Sequence, residues 1–186
     1  ATASYEGADA IMLSAEAAAG SYPVQAVTMM NSVAEEVEGD ETYRAIIEAS
    51  RKIKRDTVAD AIVHAARELA ETANVAAICC FTHSGTTASL VSRERPTVPI
   101  IALPPFPETA RRLSLSWGMP CATTGTVARF KMAVVKAARI AREMGLAAVD
   151  DQIVVTAGVP FNVSGTTNIL RVAPCDESLI FSAEPG

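Results

Sequence analysis

Aromatic side chains make up only 5% of this chain, and its imidazoles are two, His64 and His83, neither close in sequence to a second soft ligand. That spacing gives no basis for a zinc site. The four cysteines, Cys79, Cys80, Cys121 and Cys175, include no Cys-x-x-Cys pair, and three of them sit in apolar runs. They read as buried free thiols of a reducing compartment rather than as a disulfide framework. No basic run interleaved with aromatics occurs, and the net charge is −5, which disfavours a polyphosphate backbone as partner. No apolar stretch approaches the roughly 20 residues that span a bilayer, and the opening ATASYEGADA lacks the basic start of a secretory signal. These absences point away from nucleic acid and membrane, toward a cytoplasmic protein.

What is present is an apolar fraction of 49% with 20% charged residues, the balance of a globular α/β protein with an Ala/Val/Ile core. A length of 186 residues accommodates one well-buried domain plus a fragment, and not two full-sized domains.

Residues 8–13 form a short apolar run read as a strand buried on both faces. Pro23 then opens a helix whose face carries Val27, Met30, Ala34 and Val37. Such a β-α unit cannot cover both of its own faces, so neighbouring strands are expected from elsewhere. Residues 39–56 read as a connector ending in the solvated cluster Arg51, Lys52, Lys54 and Arg55, with Asp56 placed to cap the next helix. From residue 57 onward, strands are expected at 75–81, 98–103, 119–122, 153–157 and 168–172. Helices are expected from Asp56, from Gly85, from Pro107 and from about Thr126 to Met144. The alternation implies a three-layer α/β/α domain around a five-stranded, mostly parallel sheet. No helical pattern precedes the last strand, which is expected to run antiparallel at an edge.

The loop Thr82-His83-Ser84-Gly85-Thr86-Thr87 lies between the first of these strands and its helix, where backbone N–H groups and the helix dipole favour an anion. Its hydroxyls are donors, and Gly85 lets the backbone approach an oxyanion. Helix capping by Ser84 or Thr86 is an equally good use of the same residues. A second SGTT, Ser164-Gly165-Thr166-Thr167, precedes the last strand. With the first strand central, both loops flank a topological switch point. Arg129 stands one turn into the long helix, within reach of a second phosphate, or is one of that helix's solvated bases like Lys131 and Lys136. Arg111 and Arg112 read as surface charges.

Glu6-Gly7-Ala8-Asp9-Ala10-Ile11-Met12-Leu13-Ser14-Ala15-Glu16, followed by Gly20-Ser21-Tyr22-Pro23 and Ala26-Val27, resembles the end of the pyruvate kinase barrel. The 82–87 loop with the following Arg93-Glu94-Arg95-Pro96, the Pro99-Ile100-Ile101-Ala102 and Thr109-Ala110-Arg111 segments, and the stretch from Gly158 through Asn168 resemble that family's C-terminal domain. The resemblance implies residues 1–38 as the last β-α unit of a (β/α)8 barrel and 57–186 as the allosteric and oligomerisation domain. The parent enzyme would transfer phosphate from phosphoenolpyruvate to ADP in glycolysis, giving pyruvate and ATP with Mg2+ and K+, as a cytoplasmic homotetramer. Ser14 and Glu16 would stand at the active-site edge, with Ala17 where relatives carry threonine. The other catalytic groups and metal ligands would lie on earlier strands, leaving this piece inactive and without bound metal. The implied effector site comprises Thr82, Ser84, Gly85, Thr86, Thr87, Arg129, Ser164, Gly165 and Thr166, and its few cations suit AMP or a sugar monophosphate better than a bisphosphate. A free-standing phosphate-binding module is the competing reading, and a structural oligomerisation domain a third.

Overall fold

Pro23 starts its helix as the sequence predicts, and it does so inside the smaller of two compact units. A computed structural model of the chain describes residues 1–50, 57–161, 163 and 165–182 and divides into Ala1–Lys54 and Arg55–Gly186. The first unit holds α1 (Thr2–Tyr5), α2 (Ala15–Ala18), α3 (Pro23–Gly39) and α4 (Glu41–Ser50). Proline at N1 supplies the fixed φ that a first turn needs and lacks only an N–H that has no helical partner anyway. Val37 from α3 is buried with Tyr43 and Ile47 from α4, and Tyr5 of α1 meets Tyr43 edge-on at 6.3 Å between centroids. The segment read as a connector thus begins as a helix. Asp40 marks its start, the carboxylate accepting from the Thr42 N–H at 2.6 Å, and this bonding lowers its pKa.

The strand expected at 8–13 does not form. Those residues form no ladder, Asp9 lies in a bend, and Met12 is 87% exposed. A strand is stable only when neighbours take up its N–H and C=O groups, and no strand exists among the described residues of this unit.

In the second unit, α5 (Val58–Thr72) is capped by Thr57, whose hydroxyl accepts from the Asp60 N–H at 3.1 Å. The expected cap, Asp56, lies outside the described residues, as do Arg51, Lys52, Lys54 and Arg55. Then follow β1 (Val75–Phe81), α6 (Thr86–Arg93), β2 (Ile100–Leu103), α7 (Pro107–Leu113), α8 (Phe130–Glu143), β3 (Gln152–Gly158), β4 (Thr167–Pro174) and α9 (Glu177–Ser182). The sheet order is β2-β1-β3-β4. β1 pairs in parallel with both β2 and β3, and β4 closes the edge antiparallel to β3, as the helix-free connection predicts. β1 is apolar at every position because both sheet faces are covered. Ala77, Cys79 and Phe81 face the core beneath α8, while Ile78 and Cys80 face the core that includes Val63 and Ala66 of α5 and Val91 of α6. This is the three-layer arrangement expected.

The sheet has four strands rather than five. Residues 119–122 lie alongside β2 and make one bridge, Cys121 to Ala102. The Ala102 N–H donates to the Pro120 carbonyl and the Ala122 N–H returns to Ala102 O, each at 3.0 Å. Extending the ladder would require N–H donors at Pro120 on one side and Pro104 on the other, and proline has none. The pattern of apolar residues suggested the strand, and two prolines end it after one pair.

Candidate functional site

β1 delivers the chain at Phe81 to the centre of the sheet's carboxyl edge, where neighbouring β2 and β3 both run parallel to it. The next six residues turn into α6. Gly85 makes the turn with φ +95°, a conformation that side-chain-bearing residues adopt only under strain. Its N–H donates to the Thr82 hydroxyl at 3.0 Å, a buried bond that leaves the Thr82 proton free to point elsewhere. Ser84 Oγ and Thr86 Oγ1 are 2.9 Å apart. The loop's carbonyls turn the other way: His83 O accepts from Thr109 Oγ1 at 3.3 Å, and Ser84 O accepts from the Arg112 guanidinium.

The opposite wall comes from the β3–β4 connection. Gly158 ends β3 where a Cβ would lie 2.5 Å from Thr166 Oγ1 and 2.9 Å from Thr166 backbone atoms, so only glycine lets the two segments approach. Asn168 fastens the connection by accepting from the Val159 N–H at 2.9 Å and donating to Val159 O at 2.7 Å. The walls touch at their base, where the buried hydroxyls of Thr87 and Thr167 are 2.6 Å apart.

Between them lies a crevice of about 490 Å³, its open mouth included, lined also by Leu103, Pro105, Thr124, Gly125 and Val127. Hydroxyls and backbone dominate its polar lining, and among the described residues no Lys, Arg, Asp or Glu side chain lines it. His83 does, with Nδ1 buried and without a hydrogen-bond partner and its ring edge-on to Phe106 at 5.3 Å.

Of the residues singled out in the sequence, Thr82, Ser84, Thr86, Thr87, Gly165 and Thr166 line this one crevice, and Gly85 forms the turn beside it. Ser164 lies outside the described residues. Arg129 is the exposed N-cap residue of α8, one position before the helix rather than a turn inside it, and is not among the lining residues. Ser14 and Glu16 are in the first unit, both exposed, with the Ser14 N–H donating to Glu16 Oε2 at 3.2 Å. Arg112, read from the sequence as a surface charge, is exposed but donates to Ser84 O, and neither it nor Thr109 was assigned to the loop, although their i, i+3 spacing puts them on one face of α7. No group of three His, Cys, Asp or Glu side chains capable of holding a metal occurs among the described residues. Burial pushes the Cys79 and Cys80 thiols well above their ordinary pKa, as befits packing residues.

The family model described as "Pyruvate kinase, alpha/beta domain" matches residues 60–173. A pyruvate kinase of Methylorubrum extorquens is 43% identical over 173 residues, covering 93% of this chain and 36% of the relative. One from Agrobacterium vitis is 45% identical over 168 residues, covering 90% and 35%. Among solved structures, a Cryptosporidium parvum pyruvate kinase superposes with a TM-score of 0.81 at 29% identity, covering 94% of this chain and 35% of its own. A Cryptosporidium parvum pyruvate kinase in complex with ADP gives 0.78 at 31%, with the same coverage. The chain spans about a third of the length of the curated relatives it matches.

Proposed function

The chain belongs to the pyruvate kinase family, and on that premise we propose that it is the C-terminal regulatory and assembly portion of an enzyme that transfers phosphate from phosphoenolpyruvate to ADP. The second unit is the effector-sensing domain, and the crevice between residues 82–87 and the β3–β4 connection takes a phosphorylated small molecule. Carrying this reading is the convergence of both Ser/Thr/Gly loops on one crevice at the sheet's switch point. Backbone N–H groups at the start of α6 and the hydroxyls of Thr82, Ser84 and Thr87 are the donors. With no Lys or Arg in the lining among the described residues, two phosphates would be poorly neutralised, which favours AMP or a sugar monophosphate. Arg129 would engage only a ligand with a second phosphate.

The neighbour solved with ADP supports ADP as a substrate of the whole enzyme. Mg2+ and K+ belong to that whole enzyme by family. Phosphoryl transfer depends on positioning and charge neutralisation, and the described residues hold no cluster that could supply the metal's ligands. The purified chain is therefore expected to show no turnover of phosphoenolpyruvate and ADP. Assembly into a cytoplasmic homotetramer is part of the same proposal.

Calorimetry with inorganic phosphate and AMP tests the effector reading. Binding by the wild-type chain that is weakened in the Ser84→Ala, Thr87→Ala double variant supports it. Equal affinity in both would leave these residues as helix caps only.

A further inference from the structure

Two carbonyls of the 82–87 loop, those of His83 and Ser84, are held by a single helix. Thr109 and Arg112, three residues apart on α7, donate to His83 O and Ser84 O respectively. A trans peptide points its N–H opposite to its C=O, so each captured carbonyl fixes the direction of the following N–H. The Ser84–Gly85 peptide is pinned at both ends, by Arg112 on the oxygen and by Thr82 Oγ1 on the nitrogen. α7 also sits close enough that a Cβ at Gly85 would meet Leu113 Cδ2 at 3.2 Å and Arg112 Nη2 at 3.5 Å. Arg112 itself is exposed and does not line the crevice.

We infer that α7 is the positioning element of the anion loop, with Thr109 and Arg112 as positioning residues that hold the His83 and Ser84 carbonyls away from the crevice, so that the Ser84 N–H faces the ligand while the Gly85 N–H stays with Thr82 Oγ1. The inference rests on the anion-site reading above. It assigns Arg112 a hydrogen-bonding role toward the backbone rather than a charge role toward the phosphate, although it is a cation beside a proposed phosphate site. A carbonyl released from α7 could swing toward the crevice and oppose an anion, so loss of either donor should weaken binding without unfolding the chain.

The test titrates inorganic phosphate into the full chain and into Thr109→Val, Arg112→Met and Arg112→Gln variants, in salt high enough to screen a charge outside the crevice. Arg112→Gln keeps an N–H donor and removes the charge. Expected are losses of about tenfold in affinity for Thr109→Val and Arg112→Met, the scale of one hydrogen bond, and a change within about threefold for Arg112→Gln. The Ser84 and Gly85 amide resonances should shift in ligand-free Arg112→Met and stay near wild type in Arg112→Gln. A wild-type chain that binds no phosphate removes the anion-site reading and this inference with it. Wild-type binding with unchanged affinity in both Thr109→Val and Arg112→Met overturns the inference alone. An Arg112→Gln loss as large as that of Arg112→Met also overturns it, because charge would then be what matters.

Discussion

Thr87 and Thr167 are 80 positions apart in sequence, and their hydroxyls meet at 2.6 Å in a buried setting. This bond joins the two segments that wall the crevice. Replacing Thr87 by valine keeps the shape and leaves the Thr167 hydroxyl buried without that partner, which is expected to destabilise the second unit by about 1–3 kcal/mol. Urea unfolding measures it, and a loss below about 0.3 kcal/mol would mean that relaxation or solvent satisfies Thr167. At this scale the sequence was informative where chemistry is local. The hydroxyls and Gly85 lie in one short loop, and strand-then-helix order alone puts that loop at the sheet edge. Arg112 was opaque for the opposite reason. A helix-surface arginine looks the same in sequence whether it faces water or a carbonyl contributed 28 residues earlier.

Elements obey similar limits. β1, α6, α8 and β3 follow from periodicity because burial on one or two faces writes a regular apolar pattern. The edge segment at 119–122 carries the same pattern, and what ends it is the loss of N–H donors at Pro104 and Pro120, which periodicity does not register. α9 was not foreseen, and polar contacts to α8 help to fix it. Glu177 accepts from Arg139 at 2.9 and 3.2 Å and from Arg142 at 2.8 Å, and Lys131 lies 4.9 Å over the Phe181 ring. Hydrogen bonding to Arg139 holds the Glu177 pKa below its ordinary 4.5, and bonds from Ser178 hold Asp176 below 3.8. Both folded values are depressed, so the stabilisation is complete above the ordinary values and is lost as pH falls through the folded ones. Lowering the pH from 6 to 3 should therefore loosen α9 while the sheet persists. Amide exchange at residues 178–181 would report this, and Glu177→Gln should shrink the pH response. An unchanged response in that variant would assign the effect to Asp176.

At the level of the whole molecule, the two units differ in how completely each covers its own apolar surface. The second buries a sheet on both faces between helices. In the first, Met12, Tyr22, Val24 and Met29 are each more than half exposed, and residues 8–14 have no ladder. Resemblance to a barrel end led to the expectation of a strand there, and correctly identified the family. A barrel strand, however, is strand-like only through the neighbours that receive its hydrogen bonds, and sequence identity at Glu6 to Glu16 cannot supply them. Backbone amides without partners open at almost no cost, whereas amides in the centre of a doubly covered parallel sheet exchange only through global unfolding. Native-state hydrogen exchange should thus find Ile11, Met12 and Leu13 near the unprotected rate, and Ile78, Cys79, Cys80 and Phe81 among the slowest in the chain. Sedimentation in parallel must establish a monomer, because a second copy covering the exposed residues would also slow them. Protection at Ile11 to Leu13 equal to that of β1 in a demonstrated monomer would mean that this segment finds partners within its own chain, and the account of the missing strand would be wrong.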